Sequence, residues 1–303
     1  MFTTLSASHR ATLFLIVSAC CFGSVTTLTV LTNRAGLPFI TAMSWRYVLG
    51  GFILFLLMKS TSSIDVTWQK KWRLVLIGAT AQALITYLSL YALNYIPVAP
   101  LAFLFFTYPA WVALLSALRG KERVTSASMT ALTLAMLGIS VMIGAPSAVS
   151  LNSAGVMLGL GTALLYALYL PAMETAQRGL PPSVSTFYLI LGAGATFLVS
   201  SVITGQMQLP PSLEAWGYVG LLSVVCTVLA FTALIAGLRE LGPLRTAIIS
   251  TVEPFFTSLL GVFFLRENLT VTTLTGGALI AVAVVLLHWQ GRKVSDRAER
   301  FTV

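Results

Sequence analysis

The stretch Ala92–Glu122, ALNYIPVAPLAFLFFTYPAWVALLSALRGKE, lies without a gap over Gly237–Glu267, GLRELGPLRTAIISTVEPFFTSLLGVFFLRE, so that residue n of the first meets residue n + 145 of the second. Identities fall at Leu93/Leu238, Ala102/Ala247, Pro109/Pro254, Leu114/Leu259, Leu115/Leu260 and Glu122/Glu267. Each stretch occupies the same place in a run of five apolar segments. A repeat with an odd number of membrane crossings sits opposite in orientation to its copy, and inverted repeats hold a site between them near the bilayer middle. The predicted fold is all-α and polytopic, with ten transmembrane helices forming two inverted five-helix repeats. The first covers 1–148, the second 149–290, and a basic tail follows at 291–303.

Composition supports a membrane protein. Of 303 residues, 57% are apolar and only 9% charged, and long runs carry no charge at all; no soluble domain of this length has that balance. Cys20, Cys21 and Cys226 fall inside apolar segments without the spacing of a metal or redox pair, so neither a disulfide, a metal nor a cofactor is expected. The formal charge of +9 sits in short loops rather than on one patch, which reports topology and excludes nucleic acid as a partner. Val17-Ser18-Ala19-Cys20 behind Arg10 has the look of a lipoprotein cleavage signal. Apolar character, however, runs on to Leu31, a full span of about 20 residues.

Apolar runs broken by Pro, Gly and charge give spans at about 11–31, 38–58, 74–93, 98–118 and 124–144, then about 153–173, 183–204, 216–237, 244–264 and 270–290. Ten-residue alternating strands are absent, so these are helices and not barrel strands. With the N-terminus in the cytoplasm, fifteen Lys and Arg residues lie inside and only Arg34 and Arg266 outside; this places both termini in the cytoplasm. Trp45, Trp68, Trp72, Trp216 and Trp289 fall near span ends, as an interfacial belt requires. Trp111 lies well inside the fourth span, facing either a cavity or its neighbours.

The repeat, the ten spans and their motifs resemble the drug/metabolite transporter superfamily, in the branch built from two EamA-type repeats. The residues that carry the resemblance are Tyr108-Pro109 with Lys121-Glu122 after it, and Glu253-Pro254 with Arg266-Glu267 after it. Trp45-Arg46-Tyr47 in span two and Cys21-Phe22-Gly23-Ser24 in span one add to it. The resemblance implies export of amino acids or other metabolites, through a cavity lined by spans one, three, four, six, eight and nine. Small multidrug members use a glutamate in their first helix. Span one here has no acidic residue, which argues against proton-coupled drug export by that route.

Two ionisable groups lie within spans. Burying a charge at a helix centre costs about 2.5–3.5 kcal/mol, so each faces a partner or a wet cavity. Arg46 and Glu253 lie at comparable depth, about eight and eleven residues from the outer ends of spans two and nine. They either pair across the cavity, or Arg46 meets a substrate carboxylate while Glu253 meets an ammonium or a proton. The alternatives are an Arg46 that snorkels outward and a Glu253 that holds together a broken helix. Thr246, Ser250, Glu253 and Thr257 follow a 4, 3, 4 spacing on one helical face. The repeat-related positions are Leu101, Phe105, Tyr108 and Val112, an aromatic and apolar wall. Together the two faces suit a small zwitterion with an apolar or aromatic side chain, although the phenylalanines fit simple packing equally well. Further polar faces are Gln82, Thr86 and Ser89, and Thr162, Tyr166 and Tyr169. Tyr87 and Tyr91 form an i, i+4 pair.

Pro100, Pro109, Pro171 and Pro254 each remove a backbone donor inside a span and are candidate hinges. Gly50-Gly51, Gly155, Gly159, Gly161, Gly192, Gly194 and Gly276-Gly277 permit close helix approach. The histidines, His9 and His288, sit at span ends, and Asp65 and Asp296 lie in loops. No constellation for an intramembrane enzyme is present. The leading expectation is a bacterial inner-membrane exporter of small metabolites, first of all aromatic or other apolar amino acids, working by alternating access between inverted halves. Its partners are the small-molecule substrate and the lipid bilayer, and the sequence leaves the oligomeric state open, a monomer being compatible with it. Facilitation and proton exchange through Glu253 both fit the residues, while a channel or a membrane scaffold would keep the fold without alternating states.

Overall fold

The computed structural model describes residues 7–59, 67–92, 94–96, 98–120, 125–143, 152–266 and 270–300. Among these residues there is no strand. In chain order the helices are α1 Ala7–Arg34, α2 Phe39–Lys59, α3 Trp68–Ile77, α4 Ala83–Ala92, α5 Val98–Phe105, α6 Tyr108–Arg119, α7 Ser126–Ile143, α8 Ser153–Ala176, α9 Pro182–Ile203, α10 Leu213–Ser223, α11 Ala230–Ser250, α12 Glu253–Leu260 and α13 Val271–Arg300. A π turn at Gly78–Gln82 joins α3 to α4, one at Val224–Leu229 joins α10 to α11, and a third at Gly261–Leu265 extends α12.

Among the described residues six helical stretches are long and apolar enough to cross a membrane by length and composition, Leu101–Arg119 running across the α5–α6 break and Leu213–Ser250 from α10 through α11. Their outward faces agree, since Phe52, Leu118, Ile203 and Phe263 are all more than half exposed. A surface this rich in large apolar side chains needs lipid against it, not water. The second half has defined helix starts: Asn152 caps α8 through Ala154 N–H, and Ser212 caps α10 through Ala215 N–H. Each satisfies a donor that the helix itself cannot. The interior is one apolar core drawing on nearly every helix.

The offset of the sequence repeat recurs in the backbone. α5 ends at Phe105 and α11 at Ser250, while α6 starts at Tyr108 and α12 at Glu253. Both junctions are tight i→i+3 turns. Thr107 N–H donates to Leu104 O at 3.2 Å and Val252 N–H to Ile249 O at 3.2 Å; Ala110 N–H donates to Thr107 O at 3.0 Å and Phe255 N–H to Val252 O at 3.2 Å. These partners correspond residue for residue at n + 145. The π turns at 78–82 and 224–229 also fall in matching places. Packing follows the same exchange of halves: α2 packs on α9 and α7 on α13, while α1 lies on α11 and α12 much as α8 lies on α4, α5 and α6.

Four details depart from the sequence expectation. Pro109 and Pro254 begin the second helix of each broken span instead of bending a continuous one, because a first-turn residue needs no backbone donor. Pro100 lies in the first turn of α5, for the same reason, and Pro171 sits inside an uninterrupted α8. The gapless alignment slips by one residue at its end. Helix α6 closes on Gly120 in the left-handed conformation (φ 62°), whereas the π turn after α12 adds a residue and its left-handed cap is Arg266 (φ 61°). Lys121, Glu122 and Glu267 lie outside the described residues. Finally, Gly51 and Gly161 face open space, so neither mediates a close helix contact.

Where close approach does occur, it is at Gly78 and Gly192. A Cβ on Gly192 would stand 2.8 Å from Ala79 N and 2.9 Å from Val75 C, and one on Gly78 would stand 2.8 Å from Leu189 C. The backbones of α3, its π turn and α9 therefore touch, which only a residue lacking Cβ permits. This crossing stands where α4 and the aromatic interior begin.

Candidate functional site

Glu253 is the first residue of α12, half-buried at the broken span. Among the described residues the ion pairs are Arg178–Glu174 and Arg239–Glu240. The Glu253 carboxylate belongs to neither. Gly23 of α1 faces the turn that carries it: a Cβ there would lie 3.0 Å from Glu253 O and 3.1 Å from Thr257 N. The missing side chain in span one is what lets α1 close over the start of α12. Cys226, Tyr108 and Tyr166 all stand within electrostatic range of the carboxylate.

Tyr108 occupies the repeat-related position, the first residue of α6. It is fully buried, its hydroxyl donating to Ala247 O of α11 at 3.3 Å with the Ser250 hydroxyl beside it. A residue of the first half thus closes on the backbone of the second. Around it the rings pack closely: Tyr108–Tyr166 edge to face at 4.7 Å between centroids, Phe105–Tyr108 and Phe105–Tyr166 tilted at 5.4 Å, and Tyr166–Tyr169 stacked at 5.6 Å. Phe105 and Tyr108 of the expected wall thus meet Tyr166 and Tyr169 of α8, and the four rings close on one another. Such contacts contribute about 0.5–1.5 kcal/mol per pair beyond burial.

The polar faces fall into two groups. Thr86 donates to Gln82 O, Ser89 to Ile85 O, Thr162 to Leu158 O and Thr257 to Glu253 O, all within their own helices. Gln82 ends a π turn and is buried. Thr246 and Tyr169 instead carry buried hydroxyls without a partner among the described residues. An unsatisfied buried hydroxyl costs about 1–3 kcal/mol. Trp111 is partly buried against the core. Tyr87 and Tyr91 turn outward, stacked at 6.1 Å, and line a hollow of about 170 Å³ with Ile40, Asn94 and Phe197. A second hollow of about 210 Å³ lies among Arg10, Phe14, Arg239 and Glu240. Neither reaches Glu253.

Arg46 does not pair with Glu253. It is 4% exposed, its Nε donating to Thr227 Oγ1 at 2.7 Å, Nη2 to Cys226 O at 2.6 Å and Nη1 to Met43 Sδ at 3.6 Å. Its guanidinium carbon lies 5.3 Å from the centre of the Tyr47 ring. Both charges act on the Cys226 thiol, which itself meets Ser24 Oγ at 3.1 Å. Sequence reasoning named neither Ser24 nor Thr227 as part of the site. The only signal was the family motif around Ser24, and no spacing rule pairs residue 46 with residue 227.

Two helical spans broken at matching repeat positions within an apolar bundle mark a polytopic membrane protein. The model of the EamA-like transporter family matches residues 9–144 and again 153–289, and the chain belongs to that family. Among its relatives, the pseudopaline exporter CntI of Pseudomonas aeruginosa is 27% identical over 266 residues, covering 87% of this chain and 91% of the relative. The uncharacterized transporter YwfM of Bacillus subtilis is 24% identical over 93% of this chain and 94% of its own length. An uncharacterized transporter of Archaeoglobus fulgidus is 30% identical over 64% of this chain and 67% of its own length. A crystal structure with 17% identity superposes with a TM-score of 0.80 over 94% of this chain and 99% of the other, a likeness of fold.

Proposed function

We propose that this chain is an inner-membrane exporter of small metabolites, with amino acids bearing aromatic or other apolar side chains as the first substrate class. In this reading ten spans form two inverted five-helix halves, both termini face the cytoplasm, and the halves rock about a central site. The observation that carries it is the Glu253–Tyr108 pair: equivalent residues starting the second helix of each broken span, one a carboxylate without a counter-ion among the described residues, the other closing on the opposite half. The carboxylate offers a partner for a substrate ammonium, and the rings of Phe105, Tyr108 and Tyr166 part to take the side chain. The similarity to a pseudopaline exporter supports outward movement of a small metabolite.

The test is counterflow in proteoliposomes against amino acids, nucleosides, cationic drugs and pseudopaline. Saturable exchange of an amino acid, lowered about tenfold or more in Glu253→Gln, is expected. Exchange of a drug alone, or unchanged exchange in the variant, refutes the assignment. Running the same assay under an imposed pH gradient separates facilitation from proton exchange.

A further inference from the structure

The π turns at 78–82 and 224–229 stand in corresponding places of the two halves, and each is met by a polar side chain from the other half. Arg46 of α2 donates to Cys226 O and Thr227 Oγ1 in the second turn. Thr196 of α9 donates to Ala79 O in the first at 2.9 Å. A π turn carries an extra residue that displaces carbonyls from the regular i→i+4 line and bends the helix, and such turns recur where helices must flex. In a membrane the displaced groups have no water to turn to, so a side chain must satisfy them. The two donors are not repeat equivalents, since residue 46 corresponds to 191 and not to 196. The reciprocal arrangement has been reached from different positions with different chemistry.

We infer that these turns are paired hinges, each latched across the interface between the halves, with Arg46 and Thr196 as the latches and Arg46 a positioning residue, not a substrate ligand. The geometry of Arg46 supports this directly. All three of its nitrogens are engaged, it is buried, and Tyr47 covers its face. The close backbone contact at Gly78 and Gly192 belongs to the same seam as Thr196, because Thr196 lies one turn after Gly192 on α9 and donates to Ala79 O beside Gly78. When one hinge unlatches, its helix straightens or bends while the other holds, giving the halves two discrete arrangements instead of a continuum. This inference rests on the transporter reading, so its test must not depend on transport alone.

Hydrogen exchange on the purified full chain in nanodiscs supplies that independence. Arg46→Met, which keeps the volume and removes the donors, is expected to speed amide exchange at 224–229 about tenfold or more while 78–82 is unchanged. Thr196→Val is expected to do the reverse. Arg46→Lys retains the charge but not the fork and falls between wild type and Arg46→Met. Should Arg46→Met fail to fold, Thr227→Val tests the same latch from its acceptor side. In counterflow, Arg46→Met lowers maximal flux while half-saturation stays within about twofold, as expected for a residue that moves the helix and does not touch the solute. Exchange that does not change in the facing turn, or that rises equally in both, overturns the latch. A raised half-saturation with maximal flux intact reassigns Arg46 as a ligand. If exchange responds as stated but no solute moves, the hinges stand and the transport reading fails.

Discussion

Replacing Gly192 by alanine places a methyl group inside the contact between α9 and the turn after α3. The new carbon would lie 2.9 Å from Val75 C and 2.8 Å from Ala79 N. Carbon atoms sit at about 3.5–4.0 Å at their optimum, so the helices must part by at least about 0.6 Å along this crossing. The opposing atoms are backbone and cannot swing aside. Overpacking of this kind costs about 1–3 kcal/mol, and the upper end applies because helix association in lipid depends on close packing without a hydrophobic drive between helices. At about 2–4 °C per kcal/mol for a chain of this size class, the melting temperature in detergent should fall by about 6 °C or more. Gly51→Ala is the matched control, since nothing lies within 4 Å of its Cβ, and it should melt with the wild type. Because Gly78 faces the same seam, Gly78→Ala combined with Gly192→Ala should cost less than the sum of the two. Equal melting temperatures for Gly192→Ala and Gly51→Ala would refute the reasoning.

Two further substitutions probe the chain path. Gly242 separates the two parts of α11 at φ 75°, ψ 172°, a region open to glycine alone, so Gly242→Ala should lose about 1–3 kcal/mol in a thermal melt; a melt identical to wild type would count against that turn. Pro254→Ala should change stability by about 1 kcal/mol or less and leave flux within about threefold, because Pro254 starts a helix and bends none. A collapse of transport in that variant would restore Pro254 as a moving hinge.

The pairing of Tyr108-Pro109 with Glu253-Pro254 was legible from the offset, which carries one position onto the other, but the prolines read as bends in continuous spans whereas each lies in the first turn of a new helix. Long apolar runs were legible because lipid demands them, and among the described residues six helical stretches are long and apolar enough to cross a membrane. The site was less so. The 4, 3, 4 stripe from Thr246 to Thr257 assumes a continuous helix, whereas the turn at Thr251–Val252 separates Thr246 and Ser250 from Glu253 and Thr257. Spacing places a hydroxyl on a face but does not say whether it bonds its own helix, as Thr86, Ser89 and Thr257 do. Arg46 was conspicuous as a buried charge, yet its partners belong to a π turn, and no propensity scale shows where a helix admits an extra residue. The aromatic residues at 105 and 108 were visible in the sequence, while the closure of their rings on Tyr166 follows from tertiary packing that spacing does not show.

The inverted arrangement of the halves is the claim on which the carrier account turns, and Arg119 and Arg266 test it most directly. They stand at the corresponding far ends of the two broken spans, both exposed. In a background with Cys20, Cys21 and Cys226 replaced by alanine, Arg119→Cys and Arg266→Cys are each exposed to a membrane-impermeant maleimide in right-side-out vesicles. The account predicts labelling of residue 266 from outside and of residue 119 only after the vesicles are opened. Labelling of both from the same side would contradict it.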